Sequence, residues 1–173
     1  FGVGLLVACR PASTETPAMS PGKATAITPT EAPTGVPEPV TEPELPQAKE
    51  ILLRYFSLLQ AGRYDEAIQY YGGDYSVLQD WNPAVPQDDY ATLFKQGCEV
   101  NGLQCLEVRN IVEAQVRLPE FRFTVEFVTK EGILFVRGPC CGTTETNMPP
   151  QSRFVFTVVK VNGRFLVREL PVY

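Results

Sequence analysis

Histidine is absent from this 173-residue chain. Its absence removes the side chain most often used as a general base near neutral pH, and also the commonest ligand for transition metals. Acid–base chemistry is left to carboxylates, phenols, thiols and amines. Aspartate is missing after Asp89, so glutamate supplies every carboxylate side chain beyond it. No serine nucleophile elbow, phosphate-cradling glycine loop or metal-binding helix motif occurs, which excludes the enzyme classes those motifs define. A surplus of positive charge is lacking too. The net charge is −5, divided into −3 for residues 1–45 and −2 for the remainder, so neither part is built to coat nucleic acid. The sequence implies no cofactor and no metal.

Long apolar runs are equally scarce. Phe1-Gly2-Val3-Gly4-Leu5-Leu6-Val7-Ala8 opens the chain without an initiator Met, and eight residues fall well short of the roughly 20 that cross a bilayer. A short apolar run closing on small residues is how a signal peptide approaches its cleavage point. Leu6-Val7-Ala8-Cys9 resembles the lipobox of bacterial lipoproteins, in which the cysteine thiol takes a diacylglyceryl group, cleavage precedes the cysteine, and the new amino terminus is acylated. The resemblance implies a signal peptide remnant at 1–8, lipidation (palmitate-type acylation) at Cys9, and a membrane-anchored, extracytoplasmic address in the cell envelope. Two or three acyl chains anchor firmly where one is marginal. The competing reading, a core cysteine in a truncated element, lacks a folded neighbour.

From Arg10 to Pro46 the chain holds nine Pro and seven Thr in 37 residues, and Ile27, Val36, Val40 and Leu45 are almost its only large aliphatics. Too little apolar surface is available there to offset the entropy of ordering. Residues 9–46 therefore read as a disordered, lipid-bearing linker biased toward polyproline II, able to reach on the order of 100 Å when fully extended. Thr among Pro also permits O-glycosylation or a proline-motif ligand, but a spacer suffices.

Residues 47–173 read as one α+β domain. Ala48, Ile51, Leu52, Tyr55, Phe56 and Leu59 keep a helical spacing over 47–61, with Pro46 suited to the first turn and Gly62 to the stop. A shorter helix is expected over 64–71, ended by Gly72-Gly73, and a third over 87–97. Past Gly102 the period becomes two, predicting strands at 104–116, 121–129, 133–137, 152–161 and 164–170. Asn162-Gly163 supplies the positive-φ pair of a two-residue type I′ hairpin. That turn puts Phe154, Phe156 and Val158 on one face with Phe165 and Val167, and Phe121, Phe123, Val125 and Phe127 form a matching row.

Three helices followed by a curled antiparallel sheet that closes on an Asn-Gly hairpin resemble the nuclear transport factor 2-like cone fold, the superfamily of ketosteroid isomerase and polyketide cyclases. The resemblance is carried by Leu58-Leu59-Gln60-Ala61-Gly62-Arg63-Tyr64-Asp65-Glu66-Ala67 and by Lys160-Val161-Asn162-Gly163-Arg164-Phe165-Leu166-Val167. It implies N-terminal helices packed on the sheet, a concave pocket between the two layers, and pairing of two copies through the exposed sheet. The first segment is also similar to a tetratricopeptide hairpin, but that fold needs further copies at about 34-residue spacing, and the β-patterned half contains none.

Cys98, Cys105, Cys140 and Cys141 remain after the anchor, an even number that implies disulfides outside the cytoplasm. Four cysteines allow three connectivities: pairing Cys98 with Cys105 leaves Cys140 and Cys141 reduced or in a strained vicinal bridge, and the favoured expectation is cross-pairing between the two pairs, stapling the 138–151 loop to the start of the sheet. A four-thiolate zinc site would want two Cys-x-x-Cys knuckles, which these spacings lack.

Three functions follow from these features. The first is a non-catalytic module binding an envelope ligand or protein, with Tyr55, Tyr64, Tyr71, Trp81 and Tyr90 as candidate pocket residues, the helical tyrosines also being good core residues. The second is an isomerase or dehydratase of the cone superfamily acting on a small hydrophobic substrate. Glu126, flanked by strand residues, would be its base and Tyr55 its phenol, although Glu126 alternates opposite the apolar row and is expected to face solvent. The third is capture of an anionic wall polymer by Arg109, Arg117, Arg122, Arg137, Arg153, Arg164 and Arg168. The plainer account of those arginines is an outer sheet face paired with Glu107, Glu113, Glu126 and Glu169.

Overall fold

A computed structural model describes residues 42–117, 119–139, 144 and 147–173. Cys9 and most of the linker, and Cys140 and Cys141, lie outside the described residues. The domain is α+β, with helices α1 (Leu45–Gln60), α2 (Tyr64–Ala67), α3 (Ser76–Trp81) and α4 (Tyr90–Glu99) preceding strands β1 (Glu107–Arg117), β2 (Glu120–Val128), β3 (Phe154–Val161) and β4 (Arg164–Val167). The strands form one antiparallel sheet in the order β1-β2-β3-β4.

Helix α1 starts two residues earlier than the spacing predicts and carries Pro46 in its first turn, where a missing N–H costs nothing. It stops at Gly62, whose φ of +70° lets Gly62 N–H reach Leu59 O and Arg63 N–H reach Leu58 O at 3.0 and 2.9 Å. Those two bonds satisfy carbonyls that the helix end would otherwise leave bare. Its apolar stripe is split by function. Phe56 turns to the sheet and meets the rings of Phe127 and Phe156 at 4.9 and 4.8 Å, whereas Tyr55 turns to the helices and meets Tyr71 and Phe94 at 6.1 and 6.2 Å.

The predicted second helix is only partly one. It is α-helical over α2, tightens to a 3-10 turn over Ile68–Tyr70, and then extends, so that Tyr71 bridges Val167 in parallel beside β4. Gly72 and Gly73 do more than end a helix. A Cβ at Gly73 would run into the Arg168 carbonyl, so only glycine lets this segment lie against the strand. The predicted 87–97 helix is α4, shifted to begin after Asp89, whose carboxylate accepts the Thr92 N–H at 3.1 Å. Helix α3, which holds Trp81, has no counterpart among the expected helices.

In the sheet, Phe121, Phe123, Val125 and Phe127 are all buried, and the first three pair across to Val158, Phe156 and Phe154 in the expected parity. Asn162 and Gly163 take φ of +50° and +74°, and the hairpin pairs Val161 with Arg164 and Val158 with Val167. Strand β1 carries two register shifts, at Arg109 and Val112, which bend it and curl the sheet over α1. The predicted 133–137 strand does not form: among the described residues only single bridges, Val128 to Leu134 and Arg137 to Gln151, hold that segment. The last strand ends at Val167, three residues short of the expected limit.

Candidate functional site

The early end of β4 creates the site. Backbone pairing between the last two strands closes with Arg168 N–H on Thr157 O at 3.0 Å. Beyond that point the chain swings away to the far end of α4, where Gln104 N–H meets Val172 O at 2.7 Å. An open groove of about 480 Å³ is left between β3 and the tail, with Arg137, Gln151, Phe154, Glu169, Leu170 and Tyr173 among its walls.

Side chains replace the missing strand at both ends of this groove. The Glu169 carboxylate accepts the Thr157 N–H at 2.6 Å, and the Gln151 amide donates to Arg153 O at 2.7 Å. Gln151 in turn accepts from Arg137 Nη2 at 2.6 Å, and Arg137 Nη1 reaches Tyr173 O at 3.4 Å. The Arg137 guanidinium lies 5.7 Å from the centre of the Phe154 ring, a cation–π contact that helps hold it in place.

Burial pushes the Glu169 carboxyl above the usual range, while the Thr157 N–H pulls it back. Its charge is felt by the Tyr55 and Tyr71 hydroxyls, both held above the ordinary phenol value mainly by burial. Tyr71 Oη donates to Asp74 O at 2.8 Å, and the buried Tyr55 Oη has no hydrogen-bond partner among the described residues. Tyr75 completes this aromatic layer, stacked on Tyr90 at 4.1 Å and edge-on to Tyr71 at 5.0 Å.

The structure thus gathers Tyr55, Tyr71 and the half-buried Tyr90 into one aromatic layer but parts them from the other expected pocket residues. Tyr64 Oη donates to Glu99 at 3.2 Å beside the disulfide. Trp81 packs on Tyr173 at 4.9 Å and so touches the groove only through its outer wall. Glu126 lies on the outer sheet face, in ion pairs with Arg109 at 3.5 Å and Arg153 at 3.2 Å. Alternation along β2 forces this, because Glu126 sits between the inward Val125 and Phe127. It does not face Tyr55.

The carboxylate that does act on the tyrosine layer is Glu169, which does not join the outer arginines as expected. Its signal was parity. Extending the inward Phe165 and Val167 row by two residues puts Glu169 on the inner face, and Pro171 marks where the ladder must end. Arg164 and Arg168 are engaged as well: they donate to Gln69 O and Gly72 O, both at 2.8 Å.

Cys98 is bonded to Cys105, with Cα atoms 5.6 Å apart, so the expected cross-pairing to Cys140 or Cys141 is replaced by a local bridge. The chain reverses after α4 through Gly102, at φ +91°, and Leu103 N–H returns to Gly97 O at 2.9 Å, which brings the two cysteines together. Among the described residues no three His, Cys, Asp or Glu side chains converge as a metal site, and no helix is long and apolar enough to cross a membrane. No known protein family, curated protein or solved structure matches the chain.

Proposed function

We propose that this chain is an exported, membrane-anchored lipoprotein whose domain is a non-catalytic binding module. Cys9 carries the acyl chains, residues 9–46 act as spacer, and residues 47–173 adopt the nuclear transport factor 2-like cone. The observation that carries this reading is the Cys98–Cys105 disulfide, because such bonds persist in oxidising compartments and not in the cytoplasm. The cone assignment is supported by helices that precede a curled meander sheet and by α1 lying across its concave face. Binding is favoured over catalysis because the interior is filled with rings, whereas the groove at the sheet's end is open.

The test is intact mass of the full-length protein from a bacterial membrane fraction, with and without reductant, beside a Cys9→Ala control. Cleavage before Cys9, added acyl mass, and a gain of at least two protons on reduction support the proposal. An unacylated protein with free thiols at Cys98 and Cys105 overturns it.

One observation favours a catalytic alternative, an isomerase or dehydratase. Glu169, which lies on the tyrosine side of the sheet where Glu126 does not, is a partly buried carboxylate whose pKa burial raises, near the Tyr55 and Tyr71 phenols. We rank it second because the Tyr55 hydroxyl it would work with is fully buried.

A further inference from the structure

The groove between β3 and the tail has the polarity of a peptide site. In an antiparallel ladder alternate residues turn both backbone groups to the same neighbour. Phe154 and Phe156 face β2, and Val161, Val159 and Thr157 face β4. Val155, of the same parity as Thr157, therefore directs its N–H and C=O into the groove, where no strand among the described residues meets them. On either side the edge is already closed, by Gln151 on Arg153 O and by Glu169 and Arg168 on Thr157. Among the described residues, the N–H and C=O of one residue of sheet edge, Val155, are left bare between two capped positions.

Charge is arranged at the same two ends. Glu169 sits at the Thr157 end and Arg137, through Gln151, at the Arg153 end. An added segment that continues the direction of β4 would run antiparallel to β3. Its amino terminus would then lie beside Glu169 and its carboxyl terminus beside Arg137. Four residues of β3 span about 13 Å, which suits a chain of about three residues, roughly 10 Å between termini, with room for a charged contact at each end. Phe154 and Leu170 supply apolar walls, and the lack of any specific deep subsite makes the recognition one of backbone and termini.

We propose that this groove binds a short extended peptide with both termini free, antiparallel to β3, the N–H and C=O of its central residue on Val155, its ammonium on Glu169 and its carboxylate on Arg137. The inference deepens the binding-module reading and rests on it. A peptide so held pairs the bare N–H and C=O of Val155 and meets a charge of opposite sign at each end. Reversing the peptide would put like charges together at both ends, which fixes the direction.

The probe is trialanine, titrated into the full-length protein and followed by amide NMR and calorimetry. Saturable binding that moves the Val155 amide supports the site. N-acetyl-trialanine and trialaninamide should each bind about tenfold more weakly, the loss expected for one charge-assisted contact. Arg137→Gln should weaken trialanine by a similar factor and leave trialaninamide unaffected. Glu169→Gln should do the same for the N-acetylated peptide. These ligand-side arms use the unaltered protein, so a variant that fails to fold does not decide the result. Equal binding of all three peptides, no shift at Val155, or the opposite pairing of variant with blocked terminus overturns the proposal. An acylated, oxidised protein that ignores trialanine overturns the peptide site alone. A reduced, unacylated protein that binds trialanine supports the site and overturns only the exported address.

Discussion

The Glu169 carboxylate bonds the Thr157 N–H at 2.6 Å, at the position where the next residue pair of the β3–β4 ladder would otherwise close. A buried backbone donor left without a partner costs about 1–3 kcal/mol. Glu169→Ala should therefore lower unfolding free energy by that amount, and Glu169→Gln, which retains an acceptor oxygen, should recover most of it. Urea denaturation of the two variants decides the point: equal stability of Ala and Gln would show that the carboxylate does not hold the edge.

The same residue sets a pH dependence. Burial, the largest influence, raises the Glu169 carboxyl above its unfolded value of 4.5. Between the unfolded and the raised folded value, the native chain keeps a proton that the unfolded chain has released. Stability from this group is thus greatest below the unfolded value and falls as pH rises through the folded one. The difference between wild type and Glu169→Gln, followed by melts from about pH 4 to about pH 7, should shift against wild type with rising pH. A difference that is flat or of opposite slope would show that the Thr157 bond outweighs burial.

The disulfide should matter beyond its own loop. Closing so short a loop contributes about 2–3 kcal/mol by restricting the unfolded chain. Cys105 lies next to Gln104, whose N–H holds Val172 O and with it the tail that walls the groove. The Cys98→Ser/Cys105→Ser protein should lose about that stability, and hydrogen exchange at the Gln104 amide should rise by more than at β2 amides. Unchanged protection at Gln104 would uncouple the bridge from the tail.

What was legible in the sequence was whatever repeats with a period. The inward row of β2 and the Asn162-Gly163 turn follow from alternation and from the need for two positive φ angles. The face of α1 follows from its 3.6 period. Short or terminated elements were not legible. In α3 only Leu78 is buried, too little to mark a face. The apolar look of Ile133 and Val136 suggested a strand, but these side chains are 65 % and 48 % exposed and only single bridges form there. The groove depends on where β4 peels away, a matter of tertiary geometry near Pro171 that no period reports. The disulfide partner likewise depended on the reversal at Gly102.

Tyr55→Phe separates the binding and catalytic readings at the level of a single atom. The Tyr55 ring is fully buried against Phe56, Tyr71 and Phe94, and its hydroxyl meets no hydrogen-bond partner among the described residues. An unpaired buried hydroxyl is a cost of about 1–3 kcal/mol, and phenylalanine keeps the ring contacts while removing that cost. In a chain that only binds, the variant should be more stable by about 1 kcal/mol in denaturant melts, with trialanine affinity unchanged, because the hydroxyl lies outside the groove. A residue retained for acid–base work behaves differently: it tolerates a destabilising hydroxyl in the resting protein for what that group does with a substrate. A stability gain accompanied by lost turnover on a small hydrophobic ketone would therefore move the assignment to the Glu169–Tyr55 pair. A gain with nothing lost would leave Tyr55 a core residue and the groove the working surface of the domain.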